Sequence, residues 1–494
     1  MRKNGLAPRR MTCHVLAGDH SDPGTMNIPS SDAQKPKRPP RGRAPGSSKS
    51  RSRKGQAPGT SNGTSDGSTS TGTPRNADPT RDIAFDIVRG VIENRRMLET
   101  TLSRSPDAKV ADARDRAAAH RLAASALRHM GTLSAVLEPF LRKEPPEPVR
   151  AALLLGSAQL LFLETPPHAA VGTTVDLMRR RGLAPFAGLA NAVLRKVANG
   201  GPALLEGLDQ DRLDVPSWLW SSWKTLGPGV ARAIARGLEH EAPLDLTLRP
   251  GAEVPEGGDL LPTGSVRLPA GTKVTELPGF GDGAFWVQDA AAALPARMLA
   301  ARPGEQVADL CAAPGGKTAQ LALTGAHVTA LERDPGRLER LTQNMERLKL
   351  TVTTVCADAA AWQPEAPLDA ILLDAPCSAT GTARRHPDAL WIKRPRDLAA
   401  LTEAQDSLLA AAARMLKPGG RLVYAVCSLQ QEEGPDRARA AERYGLKPDP
   451  IRPEELADLP EALTPEGWLR THPGMWPERG GMDGFFAARF VKAG

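Results

Sequence analysis

The spacing of apolar residues along the chain changes twice. Residues 1–78 carry almost no large apolar side chains and show no periodicity; such a segment cannot bury enough surface to offset its ordering entropy and is expected to be disordered. From Asp82 onward, Ala84, Ile87, Val88 and Val91 recur at i, i+3, i+4 and i+7, the spacing of one helix face. Further helical runs over 114–130, 133–141, 148–163, 169–181 and 187–197 predict an all-α domain across residues 79–200. Residues 201–290 read as a connector and small α+β unit, with a helix beginning near Pro216 and a strand over 244–250. Residues 291–494 then alternate short apolar runs with helical patterns, which predicts a parallel, Rossmann-like α/β sheet, and residues 481–490 alternate as its closing strand, with Phe485 and Phe486 in the core.

Three successive strands of that region end in acids: 327–331 in Glu332, 352–357 in Asp358, and 370–373 in Asp374. Ligands of a doubly wound sheet lie beyond the carboxyl ends of its strands, so all three acids are expected to face one crevice. The strand ahead of them, 307–310, runs into Cys311-Ala312-Ala313-Pro314-Gly315-Gly316-Lys317 and a helix. Paired glycines let backbone approach a ligand closely, and N–H groups opening a helix favour anionic groups. An acid about 20 residues beyond such a turn can accept hydrogen bonds from a ribose diol, which suits Glu332. Each acid alone reads equally well as a helix cap; the set points to a nucleotide site.

Two cysteines complete the pattern. Asp374-Ala375-Pro376-Cys377-Ser378-Ala379-Thr380-Gly381 follows the fourth strand, and Leu422-Val423-Tyr424-Ala425-Val426-Cys427-Ser428 ends the fifth. Together with the glycine turn, these segments resemble the Nop/Sun family of RNA cytosine-C5 methyltransferases. The segments 153–160, 167–171 and 191–195 resemble the antitermination factor NusB, a helical domain carried by family members that act on bacterial small-subunit ribosomal RNA. The likeness runs from about Arg81 to the C-terminus.

The resemblance implies a class I methyltransferase domain that binds S-adenosylmethionine. Cys427 would be the nucleophile that adds to C6 of the base, and Cys377 would serve product release. Lys317 would stabilise the thiolate or act on the base, and Asp374 would meet the cytosine edge. The stretch Cys311, Ala312, Ala313, Pro314, Gly315, Gly316 and Lys317 would wrap the methionine end of the cofactor; Glu332, where the family usually has Asp, would hold the ribose, and Asp358 the adenine amine. Gln288 and Asp289 read as caps of the next helix that also support the cofactor pocket. The loop Arg384-Arg385-His386 with Trp391 reads as a phosphate and base contact, or as a turn with Trp391 packed on the neighbouring helix. Residues 201–494 hold every cofactor residue and are expected to bind S-adenosylmethionine without the helical domain.

Composition refines this picture. Residues 1–80 hold 14 Lys and Arg against 5 Asp and Glu, and the remainder 50 against 51, so the net charge of +8 belongs to the tail. That tail reads as a basic arm adding salt-dependent RNA affinity, as a solvated tail, or as sequence ahead of an alternative start at Met26. Five cysteines without a Cys-x-x-Cys pair argue against a disulfide framework or structural zinc and for a reducing compartment, with Cys311 and Cys356 as buried structural thiols. No run of 18 apolar residues or secretory signal is evident, so the expectation is a cytoplasmic monomer with an RNA partner, no membrane contact and no metal. Two alternatives share much of the pattern: a transfer-RNA methyltransferase of the same family, and a non-catalytic RNA-binding or antitermination factor on an inactive methyltransferase fold.

Overall fold

The computed structural model describes residues 77–456 and 458–494, so the basic tail lies outside the described residues. Long helices Pro79–Asn94, Ala113–Arg128, Glu147–Leu161, Pro167–Arg180 and Ala187–Glu206 form the expected all-α region. Their starts follow from local chemistry. Asp78 caps Pro79–Asn94 by accepting from the Arg81 N–H, and Asp112 caps Ala113–Arg128 by accepting from Asp115 N–H. Ile83, Ile87, Leu127, Leu133 and Leu153 are all fully buried in one core, each contributing roughly 1.5–3 kcal/mol relative to exposure. The last long helix does not stop at 197: it continues through Glu206 with Pro202 inside it, so the expected boundary at 200 falls within a helix.

The connector adds three short α-helices, Gln210–Leu213, Ser217–Trp223 and Val230–Gly237. Leu219, Trp223 and Ile234 pack there against Ala383, Leu390 and Leu429 of the following domain. A small antiparallel sheet follows, built from β1 (Leu244–Leu248), β2 (Asp259–Leu260), β3 (Val266–Leu268) and β4 (Phe285–Val287) in the order β2-β3-β1-β4. Arg267 on β3 grips Asp245 on β1 through two bonds of 2.7 Å, both groups buried.

The large sheet contains β5 (Gln306–Leu310), β6 (His327–Glu332), β7 (Thr353–Cys356), β8 (Leu368–Asp374), β9 (Leu416–Val426), β10 (Leu446–Pro448), β11 (Leu469–Arg470) and β12 (Phe486–Lys492). Its order is β10-β12-β9-β8-β5-β6-β7, with β11 paired to β12. The strands β9-β8-β5-β6-β7 are parallel, and β12 runs antiparallel to β9. Alternation along the strands fills both faces: Leu310, Ile371, Leu373 and Tyr424 on one, Val307, Leu372, Val423 and Ala425 on the other. This is the expected Rossmann-like architecture, and the order in which its parallel strands are added reverses between β5 and β8, where a crevice opens at the carboxyl edge. The closing strand is shorter than its sequence pattern predicts. Residues 481–485 form a loop, because Gly484 N–H bonds to Gly381 O instead of a strand.

Among the described residues no helix is long and apolar enough to cross a membrane, and no group of His, Cys, Asp and Glu is arranged to hold a metal ion.

Candidate active site

Leu310 ends β5 and the chain turns through Cys311, whose φ of 64° is unusual for a side-chain-bearing residue. Ala312 N–H bonds to Leu331 O on β6, and Gly315 closes the turn at φ 105° before the helix Gly316–Ala322 begins. A Cβ at Gly315 would lie 3.0 Å from Met345 Cε and 3.2 Å from Leu341 Cγ, so neither the angle nor the space suits another residue. The helix Pro335–Arg347 holds the turn from outside: Arg337 donates to Ala313 O at 2.8 Å and Asn344 to Pro314 O at 2.9 Å.

The neighbouring strands deliver the acids. Glu332 is the last residue of β6 and is 3 % exposed. Its Oε1 accepts from Asp334 N–H at 3.0 Å; its Oε2 has no hydrogen-bond partner, although the Arg337 guanidinium lies 3.2 Å away. Asp358 sits two residues beyond β7, exposed, with Oδ1 accepting from Ala360 N–H. Asp374 ends β8 and receives the Lys317 ammonium at 2.8 Å. Burial works against the charge of Lys317, but the Asp374 carboxylate outweighs it and holds the lysine above its ordinary value, helped by the nearby Cys427. Lys317 Nζ also lies 5.0 Å from the centre of the Phe485 ring, a cation–π contact.

Register then places the thiols. Asp374 is paired with Ala425 across β8 and β9, so Cys377 lies three residues past one strand end and Cys427 two past the other position. Their sulfurs are 3.4 Å apart. Cys377 is held well above the ordinary thiol range, first by its hydrogen bond to Cys427 and then by burial. Cys311 is pushed up to about 12 by burial and then by Asp374 and Glu332, so it is an inert thiol beside the turn. Cys311 and Cys356 are partly rather than fully buried, because each stands at a strand end.

Other expectations need correcting. Arg384 is 1 % exposed and Arg385 is bound to Asp289 at 2.8 Å, to Asp483 at 3.3 Å and to Pro243 O, so this pair braces the interior instead of meeting phosphate. Trp391 donates to Leu127 O at 2.8 Å and packs between two cores, which leaves the packed reading and removes base stacking. Asp289 does not cap the next helix, Leu294–Leu299, which starts at Ala293 without a side-chain cap; it accepts instead from Ala291 N–H in the turn before it, and its second oxygen serves Arg385. Gln288 links Thr247 of the small sheet to Gln320 behind the glycine turn. Two residues beside the site went unread in sequence: Asp309, buried with Thr318 donating at 2.6 Å, and Glu433, one of two adjacent glutamates without a spacing signal; Phe485, read as core, is buried and also faces Lys317.

A cavity of about 960 Å³ lies elsewhere, between the helical region and residues 384–386, and borders none of the glycine-turn, Glu332, Asp358 or cysteine positions.

Residues 296–491 match the family model of the 16S rRNA methyltransferase RsmB/F, and residues 78–199 match the NusB family. Ribosomal RNA small subunit methyltransferase B of Sodalis glossinidius is 35 % identical over 406 residues, covering 77 % of this chain and 90 % of that protein. The protein of the same name from Vibrio vulnificus is 34 % identical over 440 residues, covering 83 % and 99 %. The chain belongs to the RsmB/F family. The crystal structure of PH0851 shares its fold, with a TM-score of 0.64 at 23 % identity over 83 % of this chain and 99 % of that one.

As an RsmB/F member the chain is an S-adenosylmethionine-dependent ribosomal RNA methyltransferase, and the residues present fit that cofactor. The open Oε2 of a buried carboxylate at the second strand end offers an acceptor for a ribose hydroxyl. The glycine turn keeps its bend clear of side chains, and the Gly316 helix start presents N–H groups beside it.

Proposed function

We propose that this enzyme methylates C5 of a cytosine in 16S ribosomal RNA through a covalent cysteine adduct. The single observation that carries the chemistry is the pair of sulfurs 3.4 Å apart beside the Lys317–Asp374 ion pair. C5 of cytosine is too poor a nucleophile to be alkylated directly, and addition of a thiolate at C6 makes it enamine-like.

In this reading Cys427 gives up its thiol proton to solvent, its sulfur forms a bond to C6, and the C5–C6 π electrons shift onto C5 and the ring. Asp374 hydrogen-bonds the cytosine edge, and Lys317 stabilises the negative charge that passes from sulfur to base. S-adenosylmethionine would supply the electrophilic methyl group and keep the electron pair of the broken S–CH3 bond on its sulfur; the 311–317 turn would hold its methionine end, Glu332 its ribose and Asp358 its adenine. C5 takes the methyl group, its proton passes to water, the C5–C6 double bond re-forms, and the C6–S electrons return to Cys427. The Cys377 S–H supports that last step by donating to the departing sulfur. The base must leave its stack to reach the thiols, which favours free RNA over a mature subunit. The NusB-like region, residues 79–200, docks the RNA and orients the target.

Two assays test this. Cys427→Ala abolishes methylation and any covalent RNA complex, whereas Cys377→Ala accumulates the complex on a denaturing gel; the reverse pattern exchanges the two roles. Tritium transfer from the labelled cofactor, followed by bisulfite sequencing, is expected on 16S RNA, and equal or greater activity on transfer RNA overturns the substrate assignment.

A further inference from the structure

Beneath the two thiols lies a carboxylate that the chemistry above does not use. Glu433 is 0 % exposed, and among the described residues no Lys or Arg forms an ion pair with it. A buried carboxylate without a cation is costly unless hydrogen bonds fill its lone pairs. Here they are filled, and in a sorted way. Oε1 accepts from the Ser378 backbone N–H at 2.8 Å and from Gln405 Nε2 at 3.2 Å. Oε2 accepts from two hydroxyls, those of Ser378 and of Ser428, the latter at 2.5 Å. The two hydroxyls are themselves 3.0 Å apart.

Ser378 directly follows Cys377, and Ser428 directly follows Cys427. One carboxylate therefore ties together the loops that carry both thiols. Its own placement is fixed by the Tyr424 hydroxyl, which donates to Glu433 O at 2.5 Å from within β9. Gln405 extends the brace to the helix Asp397–Met415 and to Pro376 O at 2.9 Å, the residue before Cys377.

We infer that Glu433 is a positioning residue whose carboxylate clips the Cys377 loop to the Cys427 loop and so sets the separation of the two sulfurs. The inference rests on the two-cysteine reading above. The dependence is unequal. Cys427 stands one residue past β9, and its carbonyl is also held by Gly381 N–H. Cys377 lies three residues past β8 and is flanked on both sides by groups that this brace holds, Pro376 O and Ser378 N–H. Loss of the carboxylate therefore displaces Cys377 more than Cys427, and the exit of the nucleophile suffers more than its attack.

The sorting of donors separates a clip from a charge. In Glu433→Gln the amide oxygen can stand at Oε1 and accept from both N–H donors, while the amide nitrogen stands at Oε2 and donates to the two hydroxyls, which can turn to accept. The clip survives in that variant and the negative charge does not.

The test uses the full-length protein as wild type, Glu433→Ala, Glu433→Gln, Ser378→Ala and Cys377→Ala. Melting and calorimetric binding of S-adenosylmethionine check folding, and kcat, KM for 16S RNA and the fraction of RNA in a denaturant-resistant complex are measured. Glu433→Ala is expected to lower kcat on the order of 10²-fold, the scale of a misplaced reacting group, while KM and cofactor affinity stay within about threefold. RNA remains in the covalent complex, as in Cys377→Ala. Glu433→Gln recovers most of the lost turnover. Ser378→Ala, which removes one hydroxyl and leaves the carboxylate, shows a smaller loss of the same kind and carries the test if Glu433→Ala does not fold. Wild-type turnover in Glu433→Ala, a Gln variant as poor as Ala, or a fall in kcat without trapped RNA each overturns the inference. If Cys377→Ala itself traps no RNA, the two-cysteine reading fails, and the contrast of Ala with Gln alone decides whether Glu433 positions the site.

Discussion

Removing the acceptor at the end of β6 isolates one proposed contact of the cofactor site. Glu332 presents two oxygens with different duties: Oε1 is occupied by Asp334 N–H at 3.0 Å, and Oε2 is buried without a hydrogen bond. A ribose hydroxyl donating to Oε2 makes a charge-assisted bond, a class that contributes about 1.5–3 kcal/mol. Glu332→Ala is therefore expected to weaken S-adenosylmethionine binding by a factor of about 10 to 10², taking about 1.4 kcal/mol per decade. In Glu332→Gln the amide oxygen can keep the Asp334 N–H and the amide nitrogen stands at Oε2, where it donates to the ribose oxygen instead of accepting. Only the charge assistance is lost, so the weakening falls to about 1 kcal/mol, roughly fivefold. The Arg337 guanidinium, 3.2 Å from Oε2 and itself half exposed, is free to turn to solvent in either variant. Titration calorimetry on the apo-protein gives both constants. Affinity within twofold of wild type in Glu332→Ala would remove this carboxylate from the site.

Two further outcomes follow from burial. A Cβ at Gly381 would lie 2.0 Å from Gly484 O, backbone against backbone, so Gly381→Ala should push apart the Cys377 loop and the 481–485 segment; it is expected to lower the melting temperature and abolish methyl transfer, and a stable, active variant would show that this approach is not required. Asp309, buried beneath the glycine turn, is pushed up to about 7 from 3.8 by burial, against the opposing Thr318 hydroxyl. The folded state holds that proton more tightly than the unfolded chain, so the stability it contributes is complete below pH 4 and is lost as pH rises to about 7. Relative to Asp309→Asn, the wild-type apo-protein should lose up to roughly 4 kcal/mol of unfolding free energy across that window, and parallel denaturation curves at both ends would refute the assignment.

The parallel sheet was legible because each strand is a short apolar run ending in a turn signal, and strand order then carried Glu332, Asp374 and the 311–317 turn to one edge without further information. The cysteine pair was legible for the same reason: each thiol stands within three residues of a strand end. Arg384 and Arg385 were misread because a run of cations has no periodicity that says inside or outside. Their partners Asp289 and Asp483 lie about a hundred residues away in either direction, at positions only the fold brings together. Glu433 was invisible on similar grounds, since its four donors come from three separated segments. The 481–485 segment alternated like a strand, but Gly481 and Gly484 lie within it and Gly480 just before it, and the Gly381–Gly484 approach replaces the ladder.

The same distant contacts change the role of the helical region. Read from sequence, it is a docking module and the catalytic half stands by itself. In the fold, Arg128 of helix Ala113–Arg128 donates to Arg384 O at 3.0 Å, Trp391 donates to Leu127 O, and Leu98 N–H bonds to Asp388 Oδ2 at 2.9 Å. Ile392 is buried in the helical core itself. The segment that begins at Cys377 is thus anchored at one end on the sheet, through Glu433 and Gly484, and at the other on the helices. Each of these hydrogen bonds contributes about 0.5–1.5 kcal/mol net and the buried Ile392 about 1.5–3, enough together to decide whether the loop keeps one conformation. Among the described residues the glycine turn and Glu332 make no hydrogen bond to the helices: their supports are Leu331, Arg337 and Asn344, all within the sheet domain. Residues 201–494 are therefore still expected to bind the cofactor without the helical region, whereas the placement of Cys377 depends on it, and RNA held by the helices would act on the same segment that carries this proposed release thiol.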